Sequence, residues 1–255
     1  TSSLLLEGTH LLQEAFSLKY RILEIIATTN WLTKNANLID SISKEIIIYE
    51  VSDSVLKASL TTISPDGVAS VVSFESLPSL KERANFVLAL DRLQDPGNLG
   101  TLFRTALASG VEEIWLALGA DPLGQKVLRA SAGAVLHLPY QRFSSEGTKA
   151  IECFAKRLQS SAHDGYQVIG THTPQDCMHS SIIPYWEMDW TKPTVLVLGN
   201  EGSGLNPTID ASCTHRVTLP HSPAVESLNV AAAAVPLLLE RQRAKMISAQ
   251  FSNGE

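Results

Sequence analysis

Several features that usually announce a function are scarce in this chain. It holds 3 cysteines in 255 residues (Cys153, Cys177 and Cys213), an odd number set far apart. That spacing makes no disulfide framework and no thiolate metal site, and it predicts a reducing, cytoplasmic setting. The 7 histidines show no H-x-x-x-H pattern and none pairs with a cysteine, so no metal is expected. The longest apolar run, Val230 to Leu239, falls short of the roughly 20 residues a membrane span needs. No repeat, low-complexity tract or signal peptide is visible, and a first residue of Thr1 rather than Met places the native start upstream. Basic charge is lacking too. Lys and Arg number 20 against 26 Asp and Glu, for a net charge of −6, and the first 85 residues and the remainder are each mildly acidic. Nucleic-acid binders usually present a basic face, because neutralising phosphates supplies most of their affinity, so composition alone argues against RNA.

With 44% hydrophobic and 18% charged residues, the chain folds rather than staying disordered. It is long enough for one large core or two smaller ones. Residues Leu4 to Val72 read as a small α/β unit: a helix over Thr9 to Phe16, strands at Arg21 to Ala27 and Ile46 to Val51, a Ser64-Pro65-Asp66-Gly67 turn, and a strand from Val68. The division expected is residues 1–72, a polar linker at 73–83, and a second domain at 84–255. From Phe86 strands and helices alternate. Phe86 to Leu90, Ile114 to Leu118, Gln167 to Gly170, Thr194 to Leu198 and Arg216 to Leu219 read as strands. Helices are predicted from about Leu99 to Gly110, over Pro122 to Ala134, through Cys153 and Leu158, and from near Ser227 to the end, with Pro236 expected to kink the last one. Such alternation predicts an α/β fold with a mostly parallel sheet covered on both faces, whose ligands bind beyond the carboxyl ends of the strands.

Three segments fall at those ends. Asp95-Pro96-Gly97-Asn98-Leu99-Gly100-Thr101-Leu102-Phe103-Arg104 is a turn feeding a helix, Leu198-Gly199-Asn200-Glu201-Gly202-Ser203-Gly204-Leu205 follows an apolar strand, and Glu226-Ser227-Leu228-Asn229-Val230 opens the last helix. Glycines after a strand let backbone approach a ligand, and helix-start N–H groups are free to bind one. The G-x-x-G-x-G spacing at 199–204 is a poor match to a dinucleotide fingerprint and comes late in the chain, which speaks against a nicotinamide oxidoreductase.

In this order the three segments resemble the signature motifs of the SpoU/TrmH family, and Arg129-Ala130-Ser131-Ala132-Gly133-Ala134 is similar to a further family segment. The resemblance covers about Phe86 to Lys245. Leu6-Glu7-Gly8-Thr9-His10 with Glu14-Ala15 resembles the start of the substrate-binding domain that ribosomal-RNA members carry. It implies transfer of a methyl group from S-adenosylmethionine to a ribose 2′-hydroxyl of RNA. It also implies a trefoil-knotted domain and a homodimer in which the partner completes each site. The cofactor cradle it implies is Thr171 and His172, then Leu198, Gly199, Asn200, Glu201 and Gly202, then Leu219 and Pro220, closed by Ser227, Leu228 and Asn229. Catalytic roles would fall to Arg104, Asn98, Glu201, Ser227 and Asn229. A guanidinium keeps its proton, so Arg104 suits a fork-like clamp on phosphate or alkoxide better than a general base.

Each assignment has a plainer alternative. Arg104 also reads as a surface ion-pair residue, Asn98 as a helix cap, Glu201 as a tie for backbone N–H groups, and Ser227 or Asn229 as the cap of the last helix. One departure from the family pattern stands out. Where a Met and a Gly usually follow the strand-end proline, Pro220 is followed by His221-Ser222-Pro223-Ala224. Methylation of a base nitrogen, and an RNA-binding relative without catalysis, are the competing functions.

Overall fold

A computed structural model describes residues 2–42, 45–143, 147–174 and 182–252, which leaves Cys177 outside. Two sheets organise the chain. The first has four strands, β1 (Ser3–Glu7), β2 (Ile22–Thr28), β3 (Ile47–Val51) and β4 (Val68–Ser73), in the order β1-β4-β2-β3. Helix α1 (Thr9–Ser17) buries Leu11, Leu12 and Ala15 against it. Short helices α2 (Thr29–Lys34), α3 (Ala36–Ser41) and α4 (Asp53–Ser59) fill the connections around β3. β1 and the three short helices carry too little periodicity to be predicted from sequence.

The second sheet has seven strands: β5 (Phe86–Asp91), β6 (Glu113–Ala117), β7 (Tyr140–Phe143), β8 (Gln167–His172), β9 (Ile182–Pro184), β10 (Thr194–Leu198) and β11 (His215–Thr218). Their order is β7-β6-β5-β10-β8-β11-β9, and every pairing is parallel. Period-2 alternation assigns the two faces. Phe86, Leu88, Leu90, Leu196 and Leu198 point to a core shared with α5 (Pro96–Ala108), α6 (Gln125–Ala130) and α9 (Val230–Ser252). Val87, Ala89, Val195 and Val197 point to the other core, filled by Ile151, Phe154 and Leu158 of α7 (Thr148–His163) and Ile209 of α8 (Pro207–Asp210). Strands buried on both faces read as continuous apolar runs, which is why β5 and β10 were legible.

Three helix boundaries need correction. The helix expected from Leu99 begins at Pro96, because the Asp95 side chain accepts from the Asn98 N–H and Pro96 sits in the first turn. Asn98 is therefore not the cap. The helix expected over Pro122 to Ala134 is confined to Gln125–Ala130. Ala132 and Gly133 adopt positive φ values of 47° and 83° and turn the chain before a short 3-10 segment at Ala134–Leu136. The last helix starts at Val230 rather than near Ser227, with the Asn229 side chain accepting from the Ala231 and Ala232 N–H groups. It runs unbroken across Pro236.

That last helix is pinned to the sheet by a buried cation. The Arg241 guanidinium donates to the carbonyls of Trp190, Lys192 and Asn85 and to the Thr194 hydroxyl, while stacking on Phe86 at 4.6 Å. Burial pulls its pKa below the ordinary arginine value, and the attraction of Glu112 opposes that.

The two sheets joined through residues 73–83 pack against one another. Leu4, Leu6, Leu12, Tyr20 and Trp31 belong to the same hydrophobic cluster as Leu99, Leu128 and Leu136. Polar contacts cross the junction as well. Tyr20 donates to the Leu136 carbonyl at 2.8 Å, Gln125 to the Leu5 carbonyl at 2.8 Å, and His137 meets Glu14 at 2.7 Å. At their centre the buried Glu7 carboxylate receives Thr61 N (2.8 Å), Thr62 N (3.0 Å) and Arg129 Nη1 (3.0 Å). Burial works to raise the Glu7 pKa. The bonds from Thr62 and Thr61 and the Arg129 charge outweigh it and hold the carboxyl below the ordinary carboxylate value.

Candidate active site

The order in which the chain adds strands reverses between β5 and β10, and beside this switch point the carboxyl ends of β8, β10 and β11 open into a cleft of about 660 Å³. That volume suits a nucleoside-sized ligand. Thr171, His172, Leu198, Gly199, Asn200, Glu201, Gly202, Leu219, Ser227 and Leu228 line it. Pro220 and Asn229 do not, nor do Asn98 and Arg104. Sequence reasoning missed other lining groups: Leu205, Asp210, Val217, His221, Glu226 and Val230.

The glycine-rich loop is held by its own side chains. Asn200 and Gly204 exchange two backbone hydrogen bonds of 3.0 Å, and the Asn200 side-chain oxygen accepts from the N–H groups of Gly202 and Ser203. A Cβ on Gly199 would lie 2.5 Å from the Gly204 backbone, so the loop closes only with glycine at this position. Below it, the fully buried Asp91 accepts from the Arg92 guanidinium at 2.8 Å and the Asn206 N–H at 2.7 Å. Arg92 donates onward to the Gly204 carbonyl, and Asn200 to the Arg92 carbonyl at 2.9 Å. Asp91 and Arg92 hold the loop to β5. Their sequence signal, an acid closing an apolar strand beside a cation, was readable but ambiguous.

One hydrogen-bonded chain joins the three motifs. Asn229 Nδ2 donates to Asn98 Oδ1 at 2.9 Å, and Asn98 Nδ2 donates to Glu201 Oε1 at 3.3 Å. Glu201 also accepts from the backbone N–H groups of Gln94 and Asp95. Glu201 therefore serves as a tie for backbone N–H groups, and Asn229 as the helix cap, while both face the same cluster. Ser227 is exposed at the rim.

On the other wall, Asp210 accepts from His172 or shares its proton at 2.9 Å and binds the Arg216 guanidinium at 2.9 Å. Behind it Cys213 is buried, and that burial, with the Asp210 charge, pushes its thiol up to about 12, too high for a nucleophile. Arg104 stands apart. It lies on the exposed face of α5 with Thr101 and Leu107, and makes no hydrogen bond or ion pair among the described residues. The ion-pair alternative for Arg104 has no partner there.

A fully parallel, doubly covered sheet with an apolar-floored, polar-rimmed cleft at its switch point defines a protein that binds a nucleoside-type cofactor and acts at the loop ends. The comparisons narrow this class. The SpoU rRNA methylase family model matches residues 85–238, and a model for RNA 2′-O ribose methyltransferase substrate binding matches residues 5–78. An uncharacterised tRNA/rRNA methyltransferase of Synechocystis sp. is 40% identical over 243 residues, 94% of this chain and 84% of that protein. The 23S rRNA (guanosine(2553)-2′-O)-methyltransferase of Bacillus subtilis is 32% identical over 241 residues, 93% of this chain and 88% of its own. The AdoMet-bound rRNA methyltransferase of Sinorhizobium meliloti superposes with a TM-score of 0.75 at 26% identity, covering 95% of this chain and 87% of that one. The chain belongs to the SpoU rRNA methylase family. It is thus an RNA 2′-O-ribose methyltransferase that uses S-adenosylmethionine.

Proposed function

We propose that this enzyme methylates a ribose 2′-hydroxyl in ribosomal RNA, working as a homodimer in the cytoplasm. The observation that carries the reading is the Asn229–Asn98–Glu201 chain, which fastens all three motifs into one polar cluster beside the cleft. The cleft fits the methyl donor: apolar walls at Leu198, Val217 and Leu219 suit a flat base, and the rim of Thr171, Asn200, Glu201 and Ser227 suits polar ends. When bound, S-adenosylmethionine supplies a methyl group already activated on a sulfonium. The residues here have to hold and align the reactants and shed water. Thr171, His172, the 198–202 loop, Leu219, Ser227 and Leu228 hold the donor. Asn98 and Asn229 orient the ribose, Glu201 fixes the loop that orients them, and Ser227 contributes a hydroxyl at the rim. Arg104 grips the target phosphate or the charge developing on the 2′-oxygen with its two-pronged guanidinium.

Arg104 lies outside the cleft lining, and a second copy is what brings it in. Leu107 is exposed beside it on α5, and Val235, Leu239 and Met246 are exposed on the neighbouring α9. Apolar side chains gathered on two packed helices suit a self-complementary interface. We further propose that the chain between β10 and α9 forms the trefoil knot, and that residues 1–72 bind the RNA, with 73–83 as the connection to the domain at 84–255. The substrate-binding match at 5–78 and the kinship to a 23S rRNA enzyme support ribosomal RNA. No helix among the described residues is long and apolar enough to cross a membrane, and Cys153 and Cys213 are free thiols, in keeping with a reducing compartment. The test maps ribose methylation in ribosomal and transfer RNA from a deletion strain and its parent. Loss of one ribosomal 2′-O-methyl group is expected; loss confined to transfer RNA overturns the substrate.

A further inference from the structure

We infer that His221 is a cofactor-binding residue whose Nε2 accepts a hydrogen bond from the exocyclic amino group of the bound purine. The inference rests on the reading of the cleft as a methyl-donor site. His221 lines the cleft three residues beyond the end of β11. Its Nδ1 lies 2.8 Å from the Leu219 carbonyl. A carbonyl can only accept, so Nδ1 carries the proton, and in the neutral tautomer that this selects, Nε2 is a bare acceptor. That Nε2 is shielded from solvent and has no hydrogen-bond partner. A buried polar atom left unpaired is costly, so it marks a place where a donor belongs.

Which donor follows from the wall around it. Val217 on β11 and Leu219 just beyond it, with Val230, Ala233 and Leu237 on α9, give the cleft its apolar lining, and the carboxylates Glu201, Asp210 and Glu226 are among its polar groups. An apolar slot takes the flat base, whose edge donor is its amino group, while the ribose hydroxyls and amino-acid end need the polar rim. Ser222 to Asn229, which follow His221, are all exposed, so this side of the cleft borders solvent. Methionine at this position can pack against a base but cannot accept such a bond with comparable strength.

The experiment is calorimetric titration of S-adenosylhomocysteine and of S-inosylhomocysteine, which has an oxo group in place of the amine. Both are titrated into the wild-type enzyme, His221→Met and His221→Gln. Met keeps an apolar side chain of similar size without a strong acceptor, and Gln restores an acceptor oxygen. Expected is a loss of about five- to tenfold in S-adenosylhomocysteine affinity in His221→Met, no comparable loss for the inosyl compound, and partial recovery in His221→Gln. Equal weakening of both compounds would show that His221 acts by packing, and unchanged affinity that it contacts no ligand; either overturns the proposal. Wild type binding neither compound overturns the cleft reading itself, and this inference with it.

Discussion

The setting of Arg104 lets its proposed role be tested by separating charge from geometry. It is exposed on α5 and makes no hydrogen bond or ion pair among the described residues, so replacing it disturbs no fold contact. If the fork is what grips phosphate or alkoxide, Arg104→Lys fails nearly as badly as Arg104→Ala, because lysine keeps the charge and loses the two-pronged donor. Single-turnover methyl transfer is expected to fall by about 10²–10³ in both, with cofactor affinity near normal. Wild-type turnover in Arg104→Ala would return the residue to the surface, and activity in Arg104→Lys alone would show that charge suffices.

At the scale of elements, Gly100 decides how α5 meets α6. A Cβ there would lie 2.5 Å from Ala130 Cβ and 2.8 Å from both the Ser131 nitrogen and the Val127 carbonyl. Gly100, within the first of the three motifs, is thus a helix-packing residue, and Ala130 and Ser131 of the Arg129–Ala134 segment are its counterpart. Gly100→Ala gains about 1 kcal/mol of helix propensity yet drives backbone from backbone, for a net loss of about 1–3 kcal/mol. A urea midpoint that stays level or rises in this variant would mean the helices yield without strain. The exposed stripe on α9 carries a second expectation. Leu239→Glu places a charge in the middle of the proposed self-interface, so sedimentation should find monomer and methyl transfer should collapse. A fully active monomer would mean that one chain holds a complete site.

For the whole molecule, the junction between the two sheets carries a pH dependence. Glu7 has a folded pKa below its unfolded value, so the stability it lends is present above the unfolded value and is lost as pH falls through the folded one. Glu7→Gln has no such proton to take up. The stability gap between wild type and Glu7→Gln should therefore be wide near pH 7 and narrow as the pH approaches about 3. Urea unfolding at both pH values measures it. A gap of constant width would show that the Glu7 charge contributes nothing across the junction. The same contacts change what a truncation does. Removing residues 1–72 strips Leu6, Leu12 and Tyr20 from a cluster shared with Leu99 and Leu136, so the remaining domain loses core as well as a binding module.

Local chemistry was enough for much of this. Continuous apolar runs announced β5 and β10, the glycine-rich 199–204 segment announced a loop at a strand end, and the order of three motifs announced the family, because each signal lies within one short stretch of chain. Boundaries were harder. Asp95 rather than Asn98 caps α5, and the helix after Pro122 is cut short at Ala132 and Gly133, because caps and positive-φ turns depend on single side chains that several residues could supply. Only the tertiary structure decided the rest. Asp91 and Arg92 became loop anchors because Asn206 and Gly204, far along the chain, fold back onto them. Arg129 became a junction residue because Glu7 meets it across the two sheets. His221 acquired a bare acceptor because a carbonyl two residues earlier fixed its proton inside a buried wall. Pairings between distant segments leave no periodicity in sequence; burial and hydrogen-bond geometry create them when the chain closes on itself.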